Sequence, residues 1–322
     1  MYKVNAGCHY FCAFILNVDF DNFLLILMKK YPAKLLLFGE HTVNLGSQAL
    51  ATPLPLFSGH WDFSENKNEW AGRLLEFAGY LNKAPLFINL DINRFKKELS
   101  EGLFFNSNIP TGYGAGSSGA LVAAIFDRYC MVREGRDLIL LKKVFAQMES
   151  FFHGTSSGTD PLVCYLNKAV ILNKKEIKTT VLPEMQLPFK LFLLDTGIKR
   201  QATPYIEYFL EKNKGVYFNK KIKKNYLPAV DSAIDCFINK KWESLFSEFN
   251  IISEFQYLYL KKMIPDKFNK IWKEGLESGY FKLKICGAGG GGFVLGMTND
   301  FEKLKSEHDG LCFLKIPGND VL

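Results

Sequence analysis

The sequence predicts a mixed α+β chain folded as two domains. Three observations carry this. At 322 residues the chain is long enough for two separate cores. Short apolar runs that read as strands are interspersed with longer segments of helical apolar spacing. Thr180 to Pro188 has the texture of a connector, which divides the fold into 28–184 and 185–322 after an extension over 1–27. Composition agrees with an ordinary soluble globular protein, at 48% hydrophobic and 23% charged residues.

The extension is apolar from Phe11 to Leu27, but Asp19, Asp21 and Asn22 interrupt it. A membrane span wants about 20 unbroken apolar residues. A signal peptide wants a clean apolar centre and a small-residue cleavage site. Neither is read here. The expectation is that 1–27 lies outside the fold and that Met28-Lys29-Lys30 is its natural beginning. The net charge of +7 is mild, and the densest basic stretch, Lys220 to Lys224, reads as a solvated helix end or loop. No nucleic-acid surface is expected, while an anionic substrate is compatible with the charge. The seven cysteines are an odd number, with no CxxC pair. Structural zinc and a disulfide framework are therefore disfavoured, and a reducing, cytoplasmic setting fits.

Taken in order, Ala33 to Phe38 is an apolar strand carrying one lysine, Lys34. That lysine reads either as a snorkelling edge residue or as a functional cation. Gly39-Glu40-His41-Thr42 is a polar turn, in which an isolated histidine is ordinarily structural. Leu54 to Phe63 has a β texture, and Asn68 to Leu81 and Asp91 to Leu99 have helical spacing. Leu103-Phe104-Phe105 reads as a strand leading into Asn108 to Ala120, which has four glycines between Gly112 and Gly119. An apolar helix follows to Tyr129, with Ser117 or Ser118 near its cap. The glycines free the backbone to curl, so loop and first-turn amides converge on one point of positive partial charge. That is a phosphate cradle. The competing reading, a flexible linker, sits poorly between a strand and an apolar helix.

A helix over Asp137 to Phe151 ends in Glu149-Ser150-Phe151-Phe152-His153-Gly154-Thr155-Ser156-Ser157-Gly158-Thr159-Asp160. The glycines permit a bend that folds Asp160 back toward Glu149. Two carboxylates and a serine hydroxyl are hard oxygen ligands suited to Mg²⁺, and a carboxylate can take a proton from a substrate hydroxyl. A helix end followed by an Asp-capped turn explains the same residues. Pro161 to Leu172 reads as a strand, and Leu191 to Asp195 as another. The loop Thr196 to Thr203 carries Lys199, Arg200 and two threonines, which suits either a carboxylate or phosphate ligand or a solvated turn. Its helix has an apolar side at Ile206, Phe209 and Leu210, and helices fill most of Tyr226 to Glu277. Gly287-Ala288-Gly289-Gly290-Gly291-Gly292 formally fits GxGxxG, but Phe293-Val294-Leu295 looks like a strand where a dinucleotide site needs a helix. No GxxxxGK[ST] occurs, so P-loop chemistry is excluded as well.

Together, three stretches resemble the motifs of the GHMP kinase superfamily, in its order. They are Pro32 to His41, Pro110 to Ala120 and Gly287 to Gly292. Within that superfamily, Glu149 with His153-Gly154, Ser157-Gly158 and Asp160 is similar to the mevalonate kinases, as is Asp195 to Thr203. The sugar-reading signature of galactokinases is not seen, and the carboxylate segment resembles a kinase rather than a decarboxylase. Ala33, Ala115, Gly119 and Ser156 stand where glycine, leucine, alanine and proline are usual.

The resemblance implies an N-terminal ATP-binding domain like ribosomal protein S5 domain 2, and a ferredoxin-like C-terminal domain. The site lies in the cleft between them. It implies ATP and Mg²⁺ as cofactors and a small-molecule acceptor, mevalonate first. Phosphomevalonate, a sugar, or a catalytically inactive nucleotide-binding regulator are the alternatives. A homodimer is its expected assembly, with no membrane partner. By the same resemblance, Asp160 takes the acceptor's proton and Lys34 stabilises the oxyanion. Pro110, Gly112, Gly114, Gly116, Ser117, Ser118, Gly119 and Ala120 hold the nucleotide phosphates. Ser118 and Glu149 bind the metal, and Glu40, His41, Arg200, Thr203, Gly289 and Gly290 face the acceptor.

Overall fold

The computed structural model of the chain describes residues 29–64, 70–86, 88–132, 137–183 and 188–317. The expected extension over 1–27 and residues 184–187 of the expected connector lie outside these.

The first sheet is antiparallel throughout. β1 (Tyr31–Phe38) pairs with β2 (Ala49–Phe63). The long β2 takes β4 (Ala169–Leu172) beside its first residues and β3 (Leu103–Ser107) beside its last. β5 (Ile177–Thr180) then pairs with β4. In the sequence β2 looked shorter because Pro53 and Pro55 break its pattern. Proline cannot donate to a ladder, so it masks a strand without abolishing it.

Helices α1 (Trp70–Lys83), α2 (Ile92–Ser100), α3 (Ser117–Tyr129), α4 (Leu138–His153) and α5 (Thr159–Leu166) accompany this sheet. Asp91 and Asp137 cap α2 and α4, accepting from the amides of Arg94 and Leu140. The Ala120, Val122, Ala123, Ala124, Ile125 and Phe126 run of α3 is fully buried, packed on β1, β2 and α5. The strand expected over Pro161 to Leu172 is corrected. Thr159 to Leu166 is α5, and only Ala169 to Leu172 is extended. Pro161 sits in the first turn, where its missing N–H leaves no bond unmade. Asn167 ends the helix in the left-handed region at φ 47°. The apolar run reads as a strand by composition, but its buried residues pack on α3.

The second sheet has the order β7 (Phe281–Ile285), β8 (Phe293–Thr298), β6 (Lys190–Asp195), β9 (Cys312–Lys315), again antiparallel. Its helices are α6 (Ala202–Lys214), α7 (Val216–Lys221), α8 (Leu227–Ile238), α9 (Trp242–Tyr259), α10 (Asn269–Ser278) and α11 (Phe301–Glu307). With the first and third of its strands central, this is the ferredoxin-like arrangement. The turn from β7 to β8 is strand–glycine bend–strand, as expected. β7 alternates apolar and lysine residues, yet all five are buried. Lys282 Nζ donates to the Gly275 and Leu276 carbonyls at the end of α10.

The two sheets share one continuous core. The Phe38 ring, at the end of β1, meets Phe237 of α8 and Phe249 of α9 edge-on. The Gln48 amide donates to Asp231 of α8 at 2.7 Å. No helix among the described residues is long and apolar enough to cross a membrane.

Candidate active site

The glycine loop leaves β3 and enters α3. Gly112, Gly114 and Gly116 have φ of 81°, 68° and 81°, a region that side chains rarely adopt. A methyl group on Gly114 would fall 1.7 Å from Arg200 Nη2, and one on Gly116 would fall 2.9 Å from Lys34 Cγ. Both glycines therefore admit a cation against the loop. The backbone is pinned from two sides: the Lys34 amide donates to Ala115 O at 2.8 Å, and the Arg200 amide to Gly112 O at 2.9 Å. Gly116 is the N-cap of α3, so Ser117 and Ser118 occupy its first turn rather than the cap itself. A helix start leaves its amides without intrahelical partners, which favours an anion there.

A cavity of about 820 Å³ opens in front of the loop. Pro110, Gly112, Gly114, Gly116, Ser117 and Ser118 line it, with Glu149, His153 and Asp160 opposite. Gly119 and Ala120 do not. The Ala120 amide is taken by Gly116 O, and a methyl group on Gly119 would lie 2.8 Å from the backbone of Asp160. The role of Gly119 in the structure is to let α3 and α5 touch, which brings Asp160 to the loop.

Four side chains distant in sequence meet there. Lys34 Nζ lies 2.9 Å from Asp160 Oδ1, with the lysine side chain 7% and the aspartate 30% exposed. Lys34 is thus a buried, paired cation rather than a snorkelling edge residue. Ser118 Oγ donates to Glu149 Oε1 at 2.8 Å and lies 3.0 Å from His153 Nε2. Burial, then the charge of Asp160, pushes the Glu149 carboxyl up to about 7; the Ser156 and Ser118 hydroxyls and Lys34 oppose this. Burial lowers the His153 imidazole pKa, the nearby Arg73 and Arg200 add to this, and Asp160 opposes it.

Of the residues expected at the acceptor, Arg200 and Thr203 line the cavity. The Arg200 guanidinium also donates to Cys286 O at 3.0 Å, so it joins the second and third glycine stretches. Glu40, His41, Gly289 and Gly290 are not among the lining residues. Glu40 is buried in an ion pair with Lys284 at 2.9 Å and accepts from Gln256 Nε2 at 3.1 Å. His41 is buried and stacked on Phe209, its ring centroid 5.1 Å away. Burial brings its pKa down to about 4. The Gly290 amide donates to Met263 O, and a side chain there would strike Tyr205. On Gly289 a methyl group would lie 2.8 Å from Met263 O. This glycine run is a packing device that holds the Thr196–Arg200 loop. The sequence alone assigns His153 and Ser156 no role of their own. Glu149 and His153 are four apart on one helix and so share a face, which was the available signal.

Among the described residues no cluster of three or more His, Cys, Asp or Glu could hold a metal ion alone. Ser118 and Glu149 nevertheless suit Mg²⁺. They place two hard oxygens beside the glycine loop, and this ion is characteristically held by one or two protein oxygens together with substrate phosphates.

No family model matches the chain. A mevalonate kinase of Pyrococcus abyssi is 25% identical over 307 residues, covering 85% of this chain and 89% of the relative. The structure of L. major mevalonate kinase in complex with R-mevalonate shares the fold, with a TM-score of 0.62 at 15% identity over 91% of this chain and 97% of that one. In sequence and in fold the chain is similar to kinases of the GHMP superfamily. The similarity extends to a sugar-phosphate kinase. A D-glycero-alpha-D-manno-heptose 7-phosphate kinase of Campylobacter jejuni is 26% identical over 258 residues, covering 71% of each chain.

Proposed function

We propose that this chain transfers the γ-phosphoryl group of ATP to the primary alcohol of mevalonate, giving 5-phosphomevalonate and ADP. The observation that carries the reading is the Lys34–Asp160 pair beside the glycine loop. Asp160 accepts the proton of the acceptor hydroxyl. Lys34, paired with Asp160, then faces the developing alkoxide. The alkoxide oxygen bonds to the γ-phosphorus as the bond to the β–γ bridging oxygen breaks. Amides from Gly112 to Ser118 spread the charge of the moving group. Ser118 and Glu149 would hold Mg²⁺, and the ion would supply charge neutralisation for the nucleotide phosphates. Arg200 offers the cation that suits mevalonate's carboxylate, and Thr203 a hydroxyl beside it. We further propose 28–184 as the ATP-binding domain and 185–322 as the second, with the cleft between them as the site.

A coupled ADP-release assay against mevalonate, phosphomevalonate, galactose, homoserine and a heptose 7-phosphate tests the reading. Mevalonate is expected to be turned over fastest, and no turnover with any acceptor overturns it. The heptose kinase relative favours a second reading, a sugar acceptor in the same cavity, which the same panel separates. A nucleotide-binding regulator without chemistry is disfavoured by the intact Lys34, Ser118, Glu149 and Asp160 set.

A further inference from the structure

Ser156 lies in the turn between α4 and α5, on the cavity wall. Its hydroxyl donates to Glu149 Oε2 and accepts from the Gly158 amide at 3.0 Å. Gly158 is the N-cap of α5, and Asp160 stands two residues on. One hydroxyl therefore ties the Glu149 carboxylate to the start of the helix that carries Asp160. The other Glu149 oxygen accepts from Ser118. A serine that turns a lone pair to a cation must redirect its hydroxyl proton, and His153 Nε2 stands 3.0 Å from Ser118 Oγ to take that hydrogen bond. Among these bonds, that of Ser156 is then the one left to orient the buried carboxylate. Hydrogen bonds from outside a coordination sphere orient ligands and strengthen metal binding about 10-fold or more.

We propose that Ser156 is a positioning residue for phosphoryl transfer, a hydroxyl clasp that fixes Glu149 toward its cation and Asp160 toward the acceptor in one geometry. The inference rests on the reading of Glu149 as a cation ligand. Ser156 stands where the resembled motif usually has proline, so the clasp is a feature of this chain.

Mn²⁺ binding to the protein with a non-hydrolysable ATP analogue, read from the electron paramagnetic resonance signal of free Mn²⁺, tests it. Ser156→Ala is expected to weaken Mn²⁺ about 10-fold while metal-free nucleotide binding holds. Ser156→Thr, which keeps the hydroxyl, is expected to restore it. In turnover, the Mg²⁺ activation curve of Ser156→Ala moves to higher concentration with the acceptor KM unchanged. Ser156→Cys, near in size but a poor donor, gives the same reading should the alanine variant fail to fold. Wild-type Mn²⁺ affinity in Ser156→Ala and Ser156→Cys, with affinity lost in Glu149→Gln, overturns the clasp alone. Unchanged affinity in Glu149→Gln overturns both the ligand reading and the clasp.

Discussion

Asp160 combines a partly open carboxylate with a buried cation at 2.9 Å, an arrangement that suits a base approached by a hydroxyl from the cavity side. Asp160→Asn is therefore expected to lower turnover at least ~10²-fold while nucleotide affinity, measured by calorimetry, stays within a few-fold. His41 leads to a different expectation. Its folded pKa of about 4 lies below the value of 6.5 it has when unfolded. As pH falls below 6.5 the unfolded chain takes up a proton that the folded chain refuses. Stability should drop between pH 6.5 and 4, by an amount on the order of 3 kcal/mol. Urea unfolding across that range checks this, and His41→Phe should flatten the slope. At this scale the sequence put residue types forward but not which way they face. Lys34 and Asp160 stood out by type, and the structure pairs them. That Glu40 and His41 are buried against Lys284 and Phe209 was not legible, because it depends on elements more than 150 residues away.

At the scale of elements, the site is made by glycines that let backbones approach. Gly158 has φ 71°, and a methyl group on it would fall 2.1 Å from Lys142 O and 2.7 Å from Ala146 N in α4. Neither neighbour is a flexible side chain. Gly158→Ala is expected to destabilise the fold by about 2–3 kcal/mol and to lower turnover by displacing Asp160, as thermal melting and ADP release would show. The Lys284–Glu40 pair clips the turn after β1 to β7, with the two side chains 1% and 2% exposed. Lys284→Met leaves a buried carboxylate without its cation and should destabilise by about 3–5 kcal/mol. Adding Glu40→Gln should recover part of that loss in chemical unfolding. Strands and helices with clear periodicity were legible in the sequence. α5 was not, because an eight-residue apolar run with Pro161 in it fits a strand by composition, and only its packing on α3 decides the matter.

For the molecule as a whole, fold class and the three glycine stretches were readable from the chain, and their convergence was not. Lys34, Gly114 and Cys286 belong to separate stretches, yet Arg200 lies against Gly114 and Cys286, and the loop hydrogen bond of Lys34 closes the third side. That meeting depends on two sheets sharing one core, which no local pattern reports. The account's central claim is that Lys34, Ser118, Glu149 and Asp160 make one phosphoryl-transfer centre. Phosphorus-31 NMR of ATP, Mg²⁺ and mevalonate with the protein tests it most directly. The predicted result is loss of the γ-phosphate resonance with matched growth of a phosphomonoester signal, absent on the same timescale with Asp160→Asn. A γ-phosphate that stays on ATP, passes only to inorganic phosphate, or transfers equally fast in Asp160→Asn would contradict it.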